Sequence, residues 1–81
     1  MRISVKLFAV LRERAGTGEL SLDLPEGATV ASATSSLVHR LPAIASYAPR
    51  VACAVNQEYV RAETRLKDGD ELALIPPVSG G

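Results

Sequence analysis

Only one stretch of this chain carries a helical repeat long enough to cover a sheet, and that restricts the architecture more than any other feature. Val30, Ala33, Leu37, Val38 and Leu41 fall near helical spacing and form one apolar face. Thr29 stands where an N-cap belongs and Pro42 forbids continuation, so the spacing predicts a helix from Val30 to Leu41. Ser32, Thr34, Ser35, Ser36 and Arg40 fall mostly on its wet side. The remaining apolar residues occur in short alternating runs. Between Arg2 and Val10, Ile3, Val5, Leu7 and Ala9 point one way, while Arg2, Ser4, Lys6, Phe8 and Val10 point the other. This is the pattern of a half-buried strand. Leu11 to Ala15 reads as one helical turn closed by Gly16-Thr17-Gly18. Glu19 to Leu24 then alternates again, with Leu20, Leu22 and Leu24 apolar, and predicts a second strand antiparallel to the first.

Pro25-Glu26-Gly27 breaks that strand ahead of the helix. Pro42 to Arg50 has no steady period and reads as a connecting loop with a helical turn around Ile44 to Tyr47. Val51 to Val55 is the third strand, Asn56-Gln57 a turn, and Tyr59-Val60-Arg61 a short fourth strand with Val60 inward. Ala62 to Leu66 crosses over to the turn Lys67-Asp68-Gly69-Asp70, where Gly69 supplies positive φ. Glu71 to Ile75 is the last strand, with Leu72 and Leu74 inward. One main helix must then cover one face of a mixed sheet of about five strands, an α+β arrangement. With the first and last strands adjacent and parallel at the centre, the expected fold is the ubiquitin-like β-grasp. Residues 1–75 make this domain, and residues 76–81 form a free C-terminal Gly-Gly tail.

Eighty-one residues suffice for one small core, and because the only aromatics are Phe8, Tyr47 and Tyr59 that core must be aliphatic. Nine basic residues balance nine acidic ones, and the arginines are scattered rather than clustered. A nucleic-acid partner is therefore not expected. The apolar run Leu7 to Leu11 is too short for a signal peptide or a membrane span, so no membrane partner is expected and the location is read as cytoplasmic. Cys53 is the only cysteine, which rules out an intrachain disulfide. Its neighbours Val51, Ala52, Ala54 and Val55 place the thiol in a small-residue strand as a core group. His39 is equally alone and is read as a helix-end residue. No metal site is predicted.

The chain ends Pro76-Pro77-Val78-Ser79-Gly80-Gly81. Two prolines withdraw two amide donors, so the last strand cannot continue and the tail leaves the sheet. Two glycines then present a backbone of minimal cross-section, suited to threading a carboxylate into a narrow site on another protein. An ionised carboxylate is a poor electrophile and needs activation, usually as a mixed anhydride with AMP. No Gly-rich loop followed by Lys-Ser or Lys-Thr exists here, so the ATP-binding machinery would have to belong to a partner.

Leu7-Phe8-Ala9 followed by Arg12-Glu13 and Gly16, then Ala54-Val55-Asn56-Gln57, then Leu66-Lys67-Asp68-Gly69-Asp70-Glu71, and finally the Pro-Pro-Val-Ser-Gly-Gly ending together resemble the molybdopterin synthase small subunits, a family of sulfur carriers. The resemblance spans essentially the whole chain. It implies that a separate ATP-dependent enzyme adenylates Gly81, that a sulfur donor converts it to a thiocarboxylate, and that the carrier docks on a synthase large subunit. There it gives up sulfur to cyclic pyranopterin monophosphate, in a complex of two small and two large subunits. Pro76, Pro77, Val78, Ser79 and Gly80 would occupy the partner's channel. The chain itself would bind no cofactor and act as a non-catalytic subunit, with the catalytic groups on the large subunit.

Strand period adds a docking face. If Leu72 and Leu74 point inward, Ala73 and Ile75 point outward, and Phe8 and Tyr59 share that outward side. Phe8, Tyr59 and Ile75 are thus expected to form one exposed apolar patch near the start of the tail, a common mark of a partner site. Asp68, Asp70 and Glu71 read either as a docking patch or as ordinary turn and strand-start residues. Two other functions share the pattern: a thiamine-pathway or protein-tagging carrier with the same tail chemistry, and a plain β-grasp interaction domain.

Overall fold

Ile3, Val5 and Leu7 are each 1% exposed or less, because every second residue of β1 (Arg2–Leu7) meets the same side of the sheet. β2 (Glu19–Asp23) pairs with it antiparallel, setting Leu22 opposite Ile3 and Leu20 opposite Val5. The computed structural model describes residues 1–77. In it β3 (Ala52–Val55), β4 (Glu58–Val60) and β5 (Glu71–Ile75) complete a five-stranded sheet of order β2-β1-β5-β3-β4. β1 and β5 lie parallel at its centre, and β5 pairs antiparallel with β3. This is the β-grasp arrangement anticipated above. The Asn56-Gln57 turn joins β3 to β4 with positive φ at both residues (51° and 72°), as a tight two-residue hairpin requires.

α2 (Val30–Arg40) lies on the face carrying Ile3, Val5, Leu72 and Leu74, and buries Val30, Ala33 and Leu37 there. Its start is a reciprocal cap. Thr29 Oγ1 accepts from the Ser32 amide at 3.2 Å, and the Thr29 amide donates back to Ser32 Oγ at 2.8 Å. The helix begins where expected and stops one residue early, with Leu41 following it. The loop beyond forms two short 3₁₀ turns, Pro42–Ile44 and Ala48–Arg50, in place of the single turn expected around Ile44 to Tyr47. Ile44 is fully buried.

The start of the chain departs from its period. β1 ends at Leu7 rather than Val10, and Ala9 is exposed rather than inward. α1 (Ala9–Ala15) replaces both the end of the expected strand and the single helical turn. The reason is the supply of pairing partners. The Leu7 amide donates to the Gly18 carbonyl at 2.9 Å, and past that point the chain is itself turning back into β2, so an extended backbone would find no partner on that side. Phe8 stays extended, Ala9 takes φ +50°, and the helix then satisfies its own amides and delivers Leu11 to the core. Gly16, at φ +78°, closes it by donating to the Arg12 carbonyl.

Candidate functional site

β5 is the strand that would deliver the tail. Ile75 sits in register with Ala52 of β3, and Leu74 with Leu7 of β1. The tail root is therefore bracketed by Phe8 on one side and Ala52 on the other. Pro76 is half-buried and Pro77 exposed; Val78, Ser79, Gly80 and Gly81 lie outside the described residues.

The face of the sheet turned away from α2 is built from the other half of the alternation. Across it, Glu19, Lys6, Ala73, Ala54 and Tyr59 form one cross-strand row, one residue from each strand. Two alanines side by side in β5 and β3 leave a hollow. Phe8, Tyr59 and Ile75 stand around it, so the structure brings the three predicted docking residues together. The hollow has a volume of about 300 Å³. Phe8 is 44% exposed and Tyr59 is 73% exposed, the two large apolar side chains among the described residues most open to solvent. Ala54 is buried yet belongs to this face rather than to the core. At the rim Lys6 Nζ lies 3.2 Å from Glu71 Oε2. Glu71, already a candidate docking residue, lines the hollow too, as do Lys6, Ala73 and Ala54. The parity that placed Ile75 also places Ala73 and Lys6, and only the strand order adds Ala54.

The acidic turn is occupied with building the fold. Asp68 Oδ1 accepts from the Arg2 amide at 2.8 Å. Asp70 accepts from the Lys67 amide at 2.8 Å and from Asn56 Nδ2 at 3.0 Å, while Asn56 Oδ1 accepts from the Glu71 amide at 3.0 Å. With Glu71 paired to Lys6, each of these carboxylates has a local structural partner. Cys53 is half-buried and packs against the core from β3. Burial pushes its thiol pKa up, and a side-chain hydrogen bond with Thr34 offsets this only in part, so the nucleophilic thiolate is disfavoured. His39 is exposed in the last turn of α2. Among the described residues no cluster of His, Cys, Asp or Glu has the arrangement of a metal site, and no helix is long and apolar enough to cross a membrane.

Known proteins agree with this geometry. Residues 5–81 match the ThiS family. The molybdopterin synthase sulfur carrier subunit of Chlamydomonas reinhardtii is 43% identical over the whole of both chains. The Arabidopsis thaliana protein of the same name is 38% identical, over all of this chain and 84% of its own length. The crystal structure of SAMP1, small archaeal modifier protein 1, from Haloferax volcanii superposes with a TM-score of 0.90 at 37% identity, covering both chains completely. A β-grasp sheet whose central strand runs into a Pro-Pro-Val-Ser-Gly-Gly ending, matched from Val5 to the last glycine, places this chain in the ThiS family, among the ubiquitin-like sulfur carriers that include the molybdopterin synthase small subunits.

Proposed function

We propose that this chain carries sulfur for molybdenum cofactor biosynthesis, with the carbonyl of Gly81 as its reacting group. The full-length likeness to molybdopterin synthase sulfur carrier subunits, reaching through the terminal glycine, is the observation that carries this reading. In the proposed cycle the Gly81 carboxylate attacks the α-phosphorus of ATP on a separate activating enzyme and releases pyrophosphate. Hydrosulfide supplied by a donor then attacks the acyl carbonyl and displaces AMP, leaving a thiocarboxylate. Docked on the synthase large subunit, the carrier gives that sulfur to cyclic pyranopterin monophosphate, and water restores the carboxylate. Two such transfers complete the dithiolene, in a cytoplasmic assembly of two small and two large subunits.

Within that cycle the rigid part of the chain positions the terminus. Phe8, Tyr59 and Ile75 dock against the large subunit, and Pro76, Pro77, Val78, Ser79 and Gly80 occupy its channel, leaving acid–base chemistry to the partner. Support for this division comes from the hollow at the tail root and from the burial that raises the Cys53 thiol pKa. The test is removal of Gly81, or addition of one residue after it. Either change should abolish sulfur transfer while leaving the thermal melt unchanged, and a truncated chain that still supports synthesis would overturn the reading. Intact mass after co-expression with an activating enzyme and a sulfur source should place the oxygen-to-sulfur increment on the last peptide, not on Cys53.

The likeness to SAMP1 favours a second reading, in which the activated terminus acylates lysine amines on other proteins. Co-expression with the activating enzyme, both with and without a sulfur source, separates the two. Isopeptide-linked adducts would support tagging, and their absence together with a thiocarboxylate product would support sulfur carriage alone.

A further inference from the structure

The two edges of the sheet are not alike. Along β2, Gly18 and Leu24 bond inward to Leu7 and Met1, so Glu19, Ser21 and Asp23 turn their amides and carbonyls outward. Side chains of this same chain cover much of that edge. Thr17 Oγ1 donates to the Glu19 carbonyl at 2.8 Å and accepts from the Glu19 amide at 3.3 Å, and Arg40 Nη1 donates to the Ser21 carbonyl at 2.9 Å. An edge filled in this way resists pairing with another strand.

Along β4 the edge is open. The Asn56 amide donates to the Glu71 carbonyl at 2.9 Å, which sets the parity of β3: Ala52 and Ala54 bond toward β5, and Cys53 and Val55 toward β4. Tyr59, opposite Ala54, therefore directs its amide and carbonyl away from the sheet. Among the described residues neither group has a hydrogen-bond partner. Beside this edge, on the α2 side, lies a groove of about 690 Å³. Val30 and Val38 wall it from the helix beside Thr34, Ser35 and His39, while Cys53 and Val60 line it from the sheet and Val51 from just before β3. No carboxylate, lysine or arginine lines it. One end closes where the Ala31 amide donates to the Ala62 carbonyl at 2.9 Å.

We infer that the β4 edge and this groove form a second interaction site, which takes an extended segment of a partner protein as an added strand. The Tyr59 amide and carbonyl bond the segment's backbone, and alternate aliphatic side chains of the segment drop into the groove. A second copy of this chain is a poor occupant. Antiparallel self-pairing centred on Tyr59 sets Glu58 of one copy opposite Val60 of the other, on the α2 side, and so drives a carboxylate against the aliphatic sheet wall of the groove at Val60 and Cys53. The occupant's inward positions are accordingly aliphatic and uncharged. The groove and the hollow at Phe8 lie on opposite faces of the sheet and share Tyr59, whose side chain borders the hollow while its backbone faces the open edge.

The test uses the full, ¹⁵N-labelled chain and a capped heptapeptide of alternating valine and threonine with lysine at each end. Saturating peptide should slow hydrogen exchange of the Tyr59 amide by about tenfold or more and shift the resonances of Tyr59, Val60 and Val38. The same peptide N-methylated at its central residue, which lacks the pairing amide, should do neither, and Val38→Glu with a normal melt should lose the response. Shifts confined to Glu19–Asp23 or to Phe8 and Ala73, no shift at millimolar peptide, or equal binding of the N-methylated peptide would overturn the inference. So would a Tyr59 amide already protected in a peptide-free dimer, since that would make the occupant a second copy.

Discussion

The two faces of the sheet come from the same strands and the same alternation, yet they are built to opposite ends. On the α2 side, Val5, Leu72 and Leu74 are completely buried, and aliphatic side chains from β1, β2 and β5 meet those of α2 without a polar group among them. On the other side the central positions are Ala54 and Ala73, while the large residues Phe8 and Tyr59 stand at the margin and remain exposed. The first face gains stability by excluding water. The second leaves a hollow open with apolar groups around it, which stabilises the isolated chain little and suits association with a partner. One helix covers one face of the sheet and leaves the other open to solvent.

Several substitutions break or sharpen that contrast. The largest effect on stability is expected from Leu72→Ala on the covered face. Deleting a fully buried leucine should cost about 2–5 kcal/mol in chemical denaturation, with any loss of activity following the unfolded fraction. On the open face, Phe8→Ala should reverse the pattern. Large-subunit binding should weaken by about 2 kcal/mol or more in calorimetric titration, while the thermal melt moves far less. Unchanged affinity, or a loss of stability large enough to explain the lost binding, would remove Phe8 from the docking face.

Cys53→Ser lies at the margin of the covered face. A half-buried hydroxyl replacing the thiol should cost about 1 kcal/mol and leave sulfur transfer intact. Loss of transfer at normal stability would give Cys53 a chemical role that its raised pKa argues against. The smallest effect belongs to the Arg2–Asp23 ion pair at 3.0 Å, which is fully exposed. The hydrogen bond and charge of Arg2 hold the Asp23 carboxyl below its ordinary range, so its stabilising contribution is present above that range and is lost as pH falls through the depressed folded value. Melts of Asp23→Asn and the parent chain should differ slightly at neutral pH and converge in acid.

Local pattern alone determined a good deal of this protein. Alternation in Arg2–Val10 and Glu71–Ile75 placed Leu72 and Leu74 inward and Phe8 and Ile75 outward, because side-chain direction in an extended chain depends only on parity. Thr29 and Pro42 bounded the main helix, and Gly69 does take positive φ (86°), since caps and turns are decided by a few neighbouring dihedrals. What needed the folded chain was every feature made by residues far apart in sequence. Period alone extends β1 through Val10, and only the end of pairing at Gly18 stops it. That Asp68 accepts from the Arg2 amide, sixty-six residues away, shows only in the folded chain. Ala54 acquires its place in the hollow only when β3 is laid beside β5, and the covered edge at Ser21 exists only because Arg40 arrives from the end of α2. Parity and capping are properties of local dihedrals and can be read along the chain, whereas pairing partners and edge coverage depend on which distant segments return to the same place.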